Sequence, residues 1–195
     1  MITDEELYRR LLSGDESSLE ALVHRYHSPL LGFLYRQTGD RHLAEDLVQE
    51  CFTRLVTYRG EPPRTFRAWA FTIAGNLARD HFRSAYRRRE QADAMEEQGP
   101  VHLAEIEPGA DELLLRDADR RAVVEALQLL SPSQREALIL KFYHEMRVDE
   151  IAEVTGAPPG TVKSRLFHGL KQMKRHLSRE GGSAHDGRAD AQPGR

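Results

Sequence analysis

The chain has 195 residues, 39% of them hydrophobic and 30% charged, with a formal net charge of −3 and one cysteine. That length makes one ordinary globular domain or two small ones. Cys51 alone excludes an intrachain disulfide and a cysteine zinc cage. No apolar run approaches the ~18 residues that span a bilayer, and the acidic start Met1-Ile2-Thr3-Asp4-Glu5-Glu6 lacks the parts of a signal peptide. The expected location is the cytoplasm, with no membrane insertion.

Strand patterns are almost absent and helical spacing recurs throughout. Thr3-x-x-Glu6 and Ser17-x-x-Glu20 read as capping boxes. After the second, Leu19, Leu22, Val23, Tyr26, Leu30 and Phe33 mark one helical face, which Pro29 is expected to kink or end. Gly39-Asp40 makes a turn. Leu43, Leu47, Val48, Cys51, Phe52 and Leu55 form the next stripe, so Cys51 reads as a small buried apolar residue. Glu45, Asp46, Gln49, Glu50 and Arg54 face the other way. That mainly acidic face cannot favour DNA and calls for a protein partner.

Residues 58–64 carry Gly60, Pro62 and Pro63 and form a loop. Thr65 is placed to cap the next helix, where Phe66, Trp69, Ile73, Leu77 and Phe82 fall at helical spacing before Arg87-Arg88-Arg89. Trp69 belongs to that core stripe. The same helix carries Asn76, Arg79, Arg83 and Arg87. Residues 91–110 hold Gly99, Pro100, Pro108, Gly109 and scattered acids without a period, which reads as a linker extended by charge repulsion.

Helical spacing returns at Leu114, with Val123, Val124, Leu127 and Leu130. Ser131-Pro132-Ser133-Gln134 is a helix start with cap, proline at the first position and a returning glutamine. That helix should end near Tyr143. A short helix from Asp149 to Thr155 stops at Gly156, and a last one begins at Pro158. This is the layout of a helix-turn-helix. Stepping 100° per residue from Val162 gathers Leu166, Leu170, Met173 and Leu177 on the inner side. Ser164, Phe167, His168, Lys171 and Arg175 lie opposite, with Lys163 and Arg165 on the flanks. Between 158 and 179 there are six Lys or Arg (163, 165, 171, 174, 175, 179) and no acid. Such a face suits the DNA major groove.

The charge is therefore segregated. Residues 79–90 hold five Arg against two acids, and residues 90–119 hold ten acids against one Arg. Two basic blocks flank an acidic one, and the near-neutral total hides them.

Ser131 to Glu136, Asp149 to Gly156 and the run Gly160-Thr161-Val162-Lys163-Ser164-Arg165-Leu166 resemble the C-terminal domain of bacterial extracytoplasmic-function (ECF) sigma factors of the sigma-70 family. Ala44-Glu45-Asp46-Leu47-Val48-Gln49-Glu50 resembles the helix with which these factors grip the RNA polymerase clamp. Residues 66–80, from Phe66-Arg67-Ala68-Trp69 to Arg79-Asp80, resemble their −10 helix. The resemblance covers about 155 of the 195 residues. It implies an all-α fold of two small helical domains joined by a flexible acidic linker: region 2 over 1–90, linker over 91–118, region 4 over 119–178, and a disordered tail over 179–195.

What the resemblance implies about function is equally definite. The chain is expected to bind core RNA polymerase, at its beta-prime clamp and beta subunits, through Glu45, Asp46, Gln49, Glu50 and Arg54. Asn76, Arg79, Asp80, Arg83 and Arg87 would meet the −10 element, with the 58–64 loop pocketing a flipped base. Thr161, Lys163, Ser164, Arg165, Phe167, His168, Lys171 and Arg175 would meet the −35 element. The linker would lie in the polymerase cleft and RNA-exit path, and an anti-sigma factor would be a further partner. No cofactor, metal or catalytic residue is expected.

Three positions depart from the family pattern. Arg147 replaces a capping Ser or Thr, so the supporting helix is expected to start loosely. Pro159 follows Pro158 where Val is common. His168-Gly169 replaces Arg-Ala, and Gly inside a helix costs about 1 kcal/mol relative to Ala. His24-x-x-His27 has no third ligand at metal-binding spacing. A DNA-binding regulator that never joins polymerase, and a sigma decoy without DNA contacts, are the competing readings.

Overall fold

The first helix, α1 (Asp4–Leu12), starts where the Thr3 hydroxyl accepts the Glu6 amide at 3.2 Å. Glu6 does not return to the cap as a box requires. Its carboxylate turns outward to Arg9 and Arg10. In this computed structural model the described residues are 2–60, 63–93 and 114–183, and they form eight α-helices with no strand among them.

Helix α2 (Glu16–Thr38) is capped by Asp15, not Ser17. The Asp15 carboxylate accepts the Ser17 amide at 3.1 Å and the hydroxyls of Ser17 and Ser18 at 2.6 and 2.9 Å. A carboxylate can take three donors where one hydroxyl takes fewer, which is why the acid holds the cap. Pro29 neither ends nor splits α2. Its ring removes one backbone bond, but Tyr26, Leu30, Phe33 and Leu34 are buried on both sides of it and hold the two turns in one line. Gly39 ends α2 at φ 75°, a left-handed conformation that glycine adopts without a Cβ penalty.

Asp40 caps α3 (Arg41–Thr57), accepting the Leu43 amide at 3.1 Å. Helix α4 (Phe66–Asp93) gets its first-turn partner from afar. The Phe66 amide donates to Glu5 Oε1 at 3.0 Å, while Thr65 contributes its carbonyl to Trp69. These four helices bury Tyr8, Leu22, Leu30, Phe33, Leu34, Phe66 and Phe71. Trp69 is half-buried and meets Tyr8, Tyr58 and Phe66 edge-on at 5.1, 5.0 and 5.9 Å, so it belongs to the core as its spacing implied. Cys51 is fully buried, and burial pushes its thiol up to about 12.

The second half contains α5 (Leu114–Gln128), α6 (Pro132–Phe142), α7 (Val148–Thr155) and α8 (Pro159–Ser183). Ser131 and Gln134 close the expected capping box on α6, each bond 3.4 Å. Arg147 has no acceptor for the first-turn amides of α7, as its side chain implies; the start is held from the other direction, where the Glu150 carboxylate accepts the Arg147 amide at 2.7 Å. Gly156 ends α7 at φ 65°. Helix α4 runs three residues past the expected boundary at 90, and α8 runs to Ser183 rather than stopping at 178. Of the expected linker and tail, residues 94–113 and 184–195 lie outside the described residues.

The two halves do not stand apart. Helix α2 packs on α5 and α6, α4 packs on α7, and one hydrophobic core runs through both. Arg135 on α6 is buried. It donates to the carbonyls of Leu127 at 2.9 Å and Gln128 at 3.0 Å, and reaches across to the carbonyl of Gln37 on α2. Burial lowers its guanidinium to about 10, still charged at neutral pH. Gln128 Nε2 donates to the Arg36 carbonyl at 3.0 Å, and Arg67 donates to the His144 carbonyl.

Candidate nucleic-acid interface

The outer face of α4 carries Asn76, Asp80 and Arg83 exposed to water. Arg83 stands 3.7 Å from Asp80, a loose pair of exposed groups that binding could break at little cost. Arg79 is different. Its side chain is only 30% exposed, forms an ion pair with Glu136 of α6, and donates to Asn76 Oδ1 at 2.6 Å. Arg87 lies on α4, with its side chain outside the described residues. In the adjoining loop the Tyr58 ring folds over Gly60, where any Cβ would collide with its hydroxyl. Pro62 of the expected base pocket lies outside the described residues.

The α7–Gly156–α8 turn presents α8 on the opposite unit. Val162 and Gly169 are buried, and Leu166 and Met173 are half-buried against α6 and α7. Thr161, Lys163, Ser164, Phe167, His168, Lys171 and Arg175 are exposed, and Arg165 is half-buried. The expected outer face is therefore present, and Phe167 at 64% exposure is its apolar centre. Gly169 has a structural reason the sequence did not show. A Cβ there would stand 3.0 Å from Leu138 Cδ1, so glycine lets α8 close on α6.

One inner-face expectation fails. Leu170 is 47% exposed and, with Leu127, Leu138, Phe142 and Met173, lines an open apolar cleft of about 520 Å³. The 100° projection assumed a partner along the whole inner side, but α6 is shorter than α8 and ends at Phe142.

On α3, Asp46, Gln49, Glu50 and Arg54 are exposed and Glu45 is half-buried. Exposed pairs tie Arg41 to Glu45 at 3.0 Å and Arg54 to Glu50 at 2.8 Å, while Asp46 has no ion-pair partner among the described residues. The face remains mainly acidic. His24 and His27 are exposed on α2, and no group of three potential metal ligands occurs among the described residues. Nor does any described helix have the length and apolarity to cross a membrane.

The residue that sequence reasoning missed is Glu136. It is 3% exposed, on a helix where every residue from Arg135 to Leu140 is buried. Burial raises its carboxyl pKa, and the Arg79 and Arg165 guanidiniums pull it back down. The carboxylate of α6 thus pairs with an arginine of α4 across the junction of the two units.

Two helical units, the second ending in a helix-turn-helix with a basic outer helix, define a DNA-binding transcription protein. The sigma-70 region 2 pattern matches residues 22–88, and the sigma-70 region 4 pattern matches residues 120–173. The chain belongs to the sigma-70 family, as an ECF-type RNA polymerase sigma factor. It is 31% identical over 183 residues to the RNA polymerase sigma-H factor of Pseudomonas aeruginosa, covering 89% of this chain and 93% of that one. It is 30% identical over 178 residues to the ECF RNA polymerase sigma factor BldN of Streptomyces coelicolor, covering 88% of this chain but 65% of that protein's length. In three dimensions it resembles the sigma factor RpoE of Bartonella quintana, solved with the anti-sigma factor NepR, at TM-score 0.61 and 24% identity, covering 82% of this chain and 96% of that one. That last likeness is one of fold.

Proposed function

We propose that this sigma factor divides its work between its two units. The exposed α3 face, with Glu45, Asp46, Gln49, Glu50 and Arg54, binds core RNA polymerase. Asn76, Arg79, Asp80, Arg83 and Arg87 of α4 engage the −10 element and favour its opening. Thr161, Lys163, Ser164, Arg165, Phe167, His168, Lys171 and Arg175 read the duplex −35 element. The functional division is residues 1–90 for the first unit, 91–118 for the linker, 119–178 for the second and 179–195 for the tail, with helices α4, α5 and α8 running across those limits to Asp93, from Leu114 and to Ser183. The chain itself carries out no bond-making step. It works in the cytoplasm, on the nucleoid when bound to polymerase, and an anti-sigma factor is a fitting further partner, as NepR is for RpoE.

The observation that carries this reading is the exposed outer face of α8. It is free of acid and displayed by the Gly156 turn. Lysines and arginines there displace counterions from phosphates and can reach guanine edges. The acidic α3 face repels DNA and so suits a protein surface. The test is reconstitution of the purified chain with core polymerase on a library of randomised promoter fragments. Open complexes should form only when both are present. A chain that binds duplex DNA alone and never joins core polymerase overturns the reading in favour of an ordinary regulator.

A further inference from the structure

Asn76 and Arg79 stand one turn apart on α4, and their side chains are joined. Arg79 Nη2 donates to Asn76 Oδ1 at 2.6 Å, while Nη1 of the same guanidinium pairs with Glu136. A guanidinium has donors and no acceptor, so the amide atom it touches is the oxygen. This fixes which way the Asn76 amide is turned. Its oxygen faces the cation, and among the described residues its Nδ2, with two hydrogens, donates to no protein group. Asn76 is exposed between buried Gly75 and Leu77. Gly75 leaves room for the arrangement, since a Cβ there would stand 3.3 Å from Arg79 Nη1.

We propose that Arg79 is a positioning residue that presents Asn76 to the −10 element as a hydrogen-bond donor, so that Asn76 selects a base offering an acceptor, a carbonyl oxygen or a ring nitrogen, over one offering a donor. This rests on the assignment of Asn76 to the −10 element. A free asparagine serves either kind of base edge, because a turn of its amide exchanges oxygen for NH2. Turning it here would set donor against donor. The second lone pair of Oδ1 is no substitute, since the adjacent cation repels the hydrogens of an incoming amine, and the same charge favours an electron-rich acceptor. Both residues lie on one helix of one unit, so the pairing does not depend on α6 and travels with α4 when the chain is bound to polymerase. Arg79 thus engages the −10 element through Asn76 rather than by holding a phosphate.

The test uses the full chain with core polymerase on promoter fragments randomised across the −10 element, and sequences those that form open complexes. The position read is found first. Asn76→Ala should flatten the base preference at one place, and flattening nowhere ends the −10 assignment of Asn76 and this proposal with it. At that place, an analogue of the preferred base lacking one acceptor should reduce open complexes several-fold with the parent chain and leave Asn76→Ala indifferent. If an analogue lacking one donor gives that signature instead, the assignment of Asn76 stands and the proposal falls. Arg79→Ala should flatten the same position and no other, because the freed amide can turn. Arg79→Lys, which keeps donors and has no acceptor, should restore the preference. Arg79→Gln, which can face either end of the amide, carries this arm if Arg79→Ala loses helicity on circular dichroism. A uniform loss across all sequences with a lower salt slope would make Arg79 a phosphate contact and overturn its positioning role.

Discussion

The Arg36 guanidinium of α2 lies 3.9 Å above the centre of the Tyr143 ring at the end of α6, so a cation–π contact joins the two units. Its backbone carbonyl also accepts from Gln128, which fixes the same stretch of α2 from a second side. Arg36→Met keeps most of the apolar stem and removes the charge. It should destabilise the folded chain by about 0.5–1 kcal/mol. Urea denaturation of the parent and the variant, followed by tryptophan fluorescence, measures this. An unchanged midpoint would assign the contact no energetic role.

His144 makes the junction sensitive to pH. Its ring lies 4.5 Å from Phe71 and 6.0 Å from Phe33, and its Nε2 has no hydrogen-bond partner. Burial first, then the Arg67 and Arg36 charges, depress its pKa to about 4. The unfolded chain binds this proton more readily, so the neutral ring contributes full stability above about pH 6.5, the ordinary histidine value. That contribution falls away as pH drops through the window from 6.5 to 4, by up to about 3 kcal/mol. Thermal denaturation across that window should show the loss, and His144→Phe should flatten it. An equal slope in the variant would move the effect to other groups.

Asp46 and Glu50 on the acidic face of α3 are exposed, and among the described residues its ion pairs stay within the helix, so reversing their charge leaves the core untouched. Asp46→Arg combined with Glu50→Arg should abolish co-purification with core polymerase while far-ultraviolet circular dichroism stays unchanged. Undiminished co-purification would place the polymerase contact elsewhere.

The two DNA-facing helices should fail in different ways. Arg165→Ala should weaken duplex −35 binding, by ~1–3 kcal/mol and with a dependence on the base if it reads a guanine. Lys171→Ala should weaken all sequences alike and lower the salt slope by about one. Asn76→Ala should spare duplex binding and impair opening, which permanganate reactivity of unpaired thymines reports. Comparable losses of duplex binding in Asn76→Ala and Arg165→Ala would end the division of labour.

The stripes legible in the sequence were those buried on one side. Leu22, Tyr26, Leu30 and Phe33, and again Val48, Cys51 and Leu55, face one core, and periodicity reports such burial directly. Ser131, Pro132 and Gln134 were equally legible because a cap is a local matter. Helix α6 was not. It is wedged between α2 and α8, so Arg135 and Glu136 are buried along with its apolar residues and no amphipathic period survives. Their partners, Gln37 and Arg79, lie 98 and 57 residues away, beyond any local pattern. The outer face of α8 was read correctly, yet Leu170 was assigned a burial that the shorter α6 does not provide. Asp15 took the cap expected of Ser17 because a stronger acceptor stood two positions earlier.

The bond from the Phe66 amide to Glu5 spans 61 positions. The start of α4 is thus completed by a residue from the opposite end of its own unit. Anyone building chimeras should treat α1 and α4 as one cassette. A donor α4 grafted onto a foreign α1 would arrive with its first amide unseated, next to the edge-on Tyr58–Trp69 pair, and a change in promoter preference after such a graft would confound a frayed helix with a new reading surface.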